Sequence, residues 1–233
     1  MDTTNTIKHG GNTYSKIEYP NDEYASYKYP SLLCDYLCEN YTGNRGLLLD
    51  IGCGKGNHMV GFTRQGFRAF GLDLELPEMT SDPFVNNTLR DIKQHDVRGG
   101  IPFGDSFFHV VFSKSLLEHL PDTSILEEVH RVLTHNGKAL FMVPDYNDVF
   151  WDDPTHIHPF TKKSLSMAFS LAGFSQVYCE YFYQLPFVWR MPYLKPLLGL
   201  LRFVPNRFKY HNGKQNVLIR HGKERMILAV GVK

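Results

Sequence analysis

The stretch Leu47-Leu48-Leu49-Asp50-Ile51-Gly52-Cys53-Gly54-Lys55-Gly56 decides the fold. A short apolar run that ends at glycines reads as a strand buried on both faces. Beyond it, Met59, Val60 and Phe62 recur at helical spacing between Asn57 and Gln65, with Gly66 placed to stop that helix. Glycines between a strand and a helix let the backbone turn tightly and approach a ligand at the carboxyl ends of the strands. A dinucleotide fingerprint needs G-x-G-x-x-G. Here the third glycine comes one residue early and Asn57 fills the expected place, which disfavours a nicotinamide-dependent oxidoreductase. Asp50 opens the loop with a negative charge, unhelpful for a pyrophosphate and suited to an amino group or sulfonium.

Working outward, Phe67–Leu72 reads as a second strand ending at Asp73, 23 residues after Asp50. An acid there is placed to accept from two ribose hydroxyls; a helix cap is the competing reading. Asp96 follows another extended segment, where it could meet an adenine amino group or simply open the turn before Arg98 and Gly99. His109–Phe112 is a further strand. Asp122 or Thr123 is expected to cap a helix with Ile125, Leu126, Val129, Val132 and Leu133 inward, closed by Gly137 before a strand over Lys138–Val143. Thr161 is expected to cap a helix carrying Leu165, Ala168, Phe169 and Ala172, closed by Gly173, before strands over Val177–Phe182 and Met226–Val232. The alternation implies a doubly wound α/β fold with a mainly parallel, seven-stranded sheet. We divide the chain into an N-terminal helical cap (1–45, its helix from Ser31), a core (46–185), an insertion (186–221) and a last core strand (222–233).

At 233 residues, with 42% apolar and 21% charged, the chain has the size and composition of one folded domain with a decoration. Its apolar runs are too short to cross a bilayer, and Asp2–Lys16 offers no apolar signal core. Four cysteines (34, 38, 53, 179) suit neither a disulfide scaffold nor a zinc ribbon, so a reduced, soluble, cytoplasmic protein is expected. Cys34 and Cys38 read as buried thiols, and Cys53 as a small loop residue rather than a nucleophile. The formal charge of +1 conceals an asymmetry: residues 186–233 hold ten Lys/Arg and one acid, net +9, against −8 for the rest. That excess fits either an anionic partner or a solvated basic face. Within the insertion, Leu194, Leu197, Leu198 and Leu201 make a helical stripe beside Lys195 and Arg202, read as a lid with peripheral membrane contact as the alternative. Arg207, Lys209, Lys214 and Arg220 could hold a phosphate or sugar nucleotide. No nucleic-acid-binding motif accompanies them.

Taken in order, Leu47–Gly56, Gly71-Leu72-Asp73, His95-Asp96, Phe108–His119 and Arg131–Pro144 resemble the motifs of the class I S-adenosylmethionine-dependent methyltransferases, over roughly Gly46 to Val143. The resemblance implies S-adenosyl-L-methionine as cofactor. It implies that Asp50, Gly52, Cys53, Gly54 and Gly56 hold the methionine part and that Asp73, with Leu74, holds the ribose. It assigns Asp96 and Val97 to adenine, and Ser113 and Leu116 to the face near the transferable methyl. Tyr14 and Tyr19, in a tyrosine-rich opening, are expected to close over the cofactor, half-buried tyrosines of a cap being the alternative.

Methyl transfer is an in-line displacement, so the protein must place the acceptor opposite the sulfur and exclude water. A hydroxyl acceptor also gains from a base. His119, in the Glu118-His119 pair, and His156 and His158, in the tract Asp152–Thr161, are the expected catalytic residues. Orienting or helix-entry histidines are the competing reading, as is a divalent metal on Asp152 or Asp153 with a histidine; the reading adopted has no metal. The expected function is methylation of a small hydroxylated or phosphorylated metabolite or glycan precursor. The rivals are an N-methyltransferase, a nucleic-acid methyltransferase and a cofactor-binding regulator without catalysis.

Overall fold

A computed structural model describes residues 6–9, 12–15, 28–147, 150–184, 188, 191–200, 203, 210–211, 214–215 and 225–233. A hairpin of β1 (Thr6–His9) and β2 (Asn12–Ser15) precedes helix α1 (Lys28–Leu37), which runs on into a π-helical turn over Cys38–Thr42. The alternating core follows: β3 (Leu47–Ile51), α2 (Asn57–Arg64), β4 (Arg68–Asp73), α3 (Pro83–Leu89), β5 (Ile92–Gln94) and β6 (Phe108–Lys114). After it come α4 (Ile125–Val132), β7 (Leu133–Pro144), α5 (Lys162–Leu171) and β8 (Gln176–Phe182). Helix α6 (Lys195–Leu200) and the short strands β9 (Tyr210–His211) and β10 (Lys214–Gln215) precede β11 (Met226–Val232).

Seven strands form one sheet in the order β5-β4-β3-β6-β7-β11-β8. It is parallel from β5 to β7, while β11 lies antiparallel between β7 and β8. Chain progress reverses direction between β3 and β6, and the carboxyl ends of the strands at such a switch point are where ligands bind in open α/β sheets. The period-two alternation of β3 explains its two-sided burial. Leu48 joins Leu33, Cys34, Met59, Phe62 and Phe112 under α1 and α2, whereas Leu49 and Ile51 join Val129, Phe141 and Phe169 under α4 and α5. On the first face the helices nearly touch: a Cβ on Gly61 would sit 2.6 Å from Cys34 Sγ. Cys34 and Cys38 are buried thiols, as the sequence suggests.

Four local expectations are corrected. Helix α1 begins at Lys28 rather than Ser31, because Pro30 falls in the first turn, where its missing N–H has no intrahelical role. Ser124, not Asp122 or Thr123, takes the N-cap position of α4, and Asp122 instead accepts the Ser124 N–H at 2.9 Å. Gly137 does not close α4: the helix ends at Val132 and Gly137 lies inside β7. The ending is made by Lys233, whose Nζ donates to the carbonyls of Arg131 (3.1 Å) and Leu133 (2.8 Å), occupying helix-terminal acceptors from a distant part of the chain. Finally, the leucine stripe of the insertion does not bury as one face. Leu198 packs with Tyr183 and Val188, Leu197 is 62% exposed, and Leu201 lies outside the described residues. Thr161, by contrast, caps α5 through a reciprocal pair with Ser164 (2.9 and 3.2 Å). Among the described residues no helix is long and apolar enough to cross a membrane.

Candidate active site

The loop after β3 is shaped by three glycines with left-handed backbones, Gly52 (φ 71°), Gly54 (φ 52°) and Gly56 (φ 73°). The N–H groups of Gly52 and Cys53 donate to Leu72 O at 2.8 and 3.2 Å, and Gly54 N donates to Asp73 Oδ2 at 2.7 Å. The loop is thereby stapled to the end of β4. A Cβ at Gly56 would lie 2.3 Å from Leu89 Cδ2, whereas one at Gly54 would meet nothing within 4 Å. Gly56 is thus a packing requirement, and Gly54 faces open space. Asp50 is 1% exposed, and its Oδ2 has no hydrogen-bond partner among the described residues. Burial pushes its carboxyl well above the usual range, and the Asp73 carboxylate pushes the same way. A buried carboxylate left in that state is costly unless a donor or cation arrives. An amino-bearing, positively charged ligand on the loop supplies one, so these residues fit S-adenosylmethionine. Cys53 packs against Gly71, and burial, with Asp50 and Asp73 beside it, raises its pKa and keeps it a thiol.

Asp73 accepts from Gly54 N through Oδ2 and from Glu75 N through Oδ1 (3.2 Å), leaving each oxygen a further lone pair for a hydroxyl. No helix starts at Asp73, since α3 begins at Pro83 under its own cap, Asp82. Leu74 is half-exposed beside it. Asp96 caps the turn Val97–Gly99: it accepts Arg98 N at 3.0 Å and is gripped by the Arg98 guanidinium at 2.5–3.0 Å, which is the turn geometry the sequence also allowed. Val97 is buried in the core. Ser113 is 1% exposed and donates to Ile51 O at 2.8 Å, joining β6 to β3. Leu116 does flank the loop, 3.2 Å from where a Gly52 Cβ would stand. Tyr14 is described only through its backbone pairing with Ile7, and Tyr19, Arg202, Arg207, Lys209 and Arg220 lie outside the described residues. Lys214 is likewise described only as part of β10, and Lys195 pairs with Glu180 at 2.8 Å.

On the acceptor side, two segments that are distant in sequence meet. Glu118 and His119 sit on a 3-10 turn after β6, and the N–H groups of Ile157 and His158 both donate to Glu118 O, at 2.9 and 3.0 Å. This brings His119 and His156 to a ring separation of 5.0 Å. His119 Nδ1 lies 3.1 Å from Thr155 O, and His156 Nδ1 lies 2.7 Å from Phe150 O. A carbonyl can only accept, so each neutral ring carries its proton on Nδ1 and its lone pair on Nε2. His119 Nε2 is 4.0 Å from Glu118 Oε1, and His156 Nε2 is 3.8 Å from Asp153 Oδ2. Glu118 is fully buried, and burial pushes its carboxyl up to about 8 against the opposing pull of its own backbone N–H and Lys114. His158 does not join this group; its ring stacks on Phe160, centroids 4.6 Å apart. Asp152 is exposed and also outside it. Sequence reading missed Glu118 as a buried acid and the pair Arg225–Asp145 (2.7 Å, both buried), which ties β11 to the end of β7 beside the histidine tract. Glu118 was findable as a lone acid directly after two leucines at a strand end; Arg225 carried no local signal.

Residues 49–141 match the methyltransferase domain family. An uncharacterized protein of Methanocaldococcus jannaschii is 28% identical over 151 residues, and the match covers 62% of this chain and 62% of that one. A S-adenosylmethionine-dependent methyltransferase of Archaeoglobus fulgidus superposes with a TM-score of 0.58 at 16% identity, over 89% of this chain and 95% of its own. A phosphoethanolamine N-methyltransferase of Haemonchus contortus, solved with phosphomonomethylethanolamine and S-adenosylhomocysteine, gives 0.57 at 15%, over 88% of this chain and 52% of its own. Residues 49–141 thus match a methyltransferase domain, and the chain shares its fold with solved S-adenosylmethionine-dependent methyltransferases.

Proposed function

We propose that the protein methylates a hydroxyl of a small metabolite or glycan precursor, phosphorylated or sugar-linked, at a site formed by the glycine loop and the His119–His156 pair. The carrying observation is that both Nδ1 atoms face backbone carbonyls, so both basic Nε2 atoms are presented beside the carboxyl end of β6. When bound, S-adenosylmethionine supplies an electrophilic methyl group whose bond to sulfur breaks as the bond to the acceptor oxygen forms. Asp50 and the Gly52–Gly56 loop hold its charged end and Asp73 its ribose. Leu116 closes the loop against water. The Nε2 of His119 or His156 takes the acceptor proton, a contribution of about two to four decades in rate.

The basic excess of residues 186–233 serves in this reading to attract an anionic acceptor, and the protein works in the cytoplasm. The test is formation of S-adenosylhomocysteine across a panel of sugar phosphates, nucleotide sugars and amino alcohols. With a hydroxyl acceptor, H119A or H156A is expected to lower kcat at least a hundredfold with little change in cofactor affinity. Turnover near wild type in both variants would favour an amine acceptor, and cofactor binding without product from any acceptor would favour a regulator.

A further inference from the structure

We infer that Glu118, His119 and His156 form a binding site for a borderline first-row divalent cation of the Zn²⁺ type. One ligand atom from each residue lies within 4.8 Å of the other two. Bound ligand atoms at ~2.1 Å from an ion stand about 3 Å apart, so modest side-chain rotation closes the set. Two imidazoles and one carboxylate are a donor set suited to such ions and poorly suited to Mg²⁺, which prefers oxygen ligands and retained water.

The independent observation is Glu118. Its side chain is 0% exposed, and apart from its own backbone N–H neither carboxylate oxygen has a hydrogen-bond partner among the described residues, Lys114 acting on it only through its charge. Structures seldom bury a carboxyl without a donor, and a cation removes the anomaly. The histidines also carry the outer support seen around metal ligands. Thr155 O and Phe150 O each hold an Nδ1, which fixes the tautomer that turns the Nε2 lone pair to the ion. The side chains of His156 and His119 are 13% and 29% exposed, so the group opens to solvent on the histidine side, leaving room for further ligands there. A hydroxyl coordinated in that position loses its proton more readily, and with both Nε2 lone pairs on the ion that proton would pass to solvent on the exposed histidine side, so the ion would replace the imidazole base rather than act beside it. That consequence, though not the binding, rests on the proposed O-methylation.

The test is calorimetric titration of Zn²⁺ into the full chain after treatment with a chelator, with Mg²⁺ as a competitor. One Zn²⁺ per chain is expected, undisplaced by millimolar Mg²⁺. H156A and E118Q should each weaken binding at least tenfold, and H158A should leave it within twofold. Circular dichroism spectra matching wild type separate loss of the site from loss of the fold. No stoichiometric heat, or equal loss in H158A, would overturn the site. If Zn²⁺ does not bind while H156A still abolishes turnover, the metal inference fails and the proposed function stands. If Zn²⁺ binds with the expected variant pattern while no acceptor yields product, the site stands and the proposed function fails.

Discussion

Two glycines only two residues apart are expected to respond differently to the same substitution, one chiefly in stability and the other chiefly in cofactor affinity. Both Gly54 and Gly56 have positive φ, so an alanine at either carries a backbone penalty of about 1–2 kcal/mol. At Gly56 the new methyl would also stand 2.3 Å from Leu89 Cδ2, an overlap that adds about 1–3 kcal/mol of overpacking. At Gly54 there is nothing within 4 Å, so no packing cost is added and the methyl enters the space assigned to the cofactor. For a chain of this length each kcal/mol lowers Tm by about 2–4 °C. Gly56→Ala is thus expected to lose roughly 4–20 °C in thermal denaturation, and Gly54→Ala about 2–8 °C. In titrations with S-adenosylhomocysteine below both transitions, Gly54→Ala should lose more than tenfold in affinity. Wild-type affinity in Gly54→Ala would show that the cofactor does not pass over this glycine. An unshifted Tm in Gly56→Ala would refute the packing argument.

Other expectations follow from single contacts. Asp73→Ala removes the carboxylate proposed to accept from two ribose hydroxyls and should weaken cofactor binding by about 2–4 kcal/mol, read by the same titration. Arg225→Met removes the guanidinium from the buried Asp145 carboxylate and should cost about 3–5 kcal/mol in urea unfolding, with much of the loss recovered in Arg225→Met/Asp145→Leu. Glu128 is held at about 2 by hydrogen bonds from Arg131, with Ile101 N also donating to it. A depressed carboxyl stabilises the fold above its unfolded value near 4.5 and loses that contribution as pH falls through 2. Glu128→Gln should accordingly cost about 1–2 kcal/mol at pH 7, allowing for partial solvation, and much less at pH 2, where the carboxyl is half protonated in the fold. Equal Tm at pH 7 would contradict it.

Much of this was legible because it is local. A strand buried on both faces reads as an unbroken apolar run, and a loop that must turn with positive φ reads as glycine, so Leu47–Gly56 located both the switch point and the ligand end of the sheet. The position of Asp73 beside the loop could be placed because it depends only on ending the next strand. The failures share a different cause. Gly137 looked like a helix stop, but Lys233 performs that task from about a hundred residues away. His156 and His158 looked equivalent. They differ because Phe150 O orients one ring while Phe160 stacks on the other. The two leucines before Glu118 only hinted at its burial, which depends on a segment docking from nearly forty residues away.

The most direct measurement is calorimetric titration of S-adenosylmethionine and S-adenosylhomocysteine into the folded wild-type chain, alongside Asp73→Ala. A saturable signal at one ligand per chain, weakened at least thirtyfold by the substitution, is the expected result. Absence of heat with both compounds, or equal affinity in the two proteins, would contradict the assignment of this site.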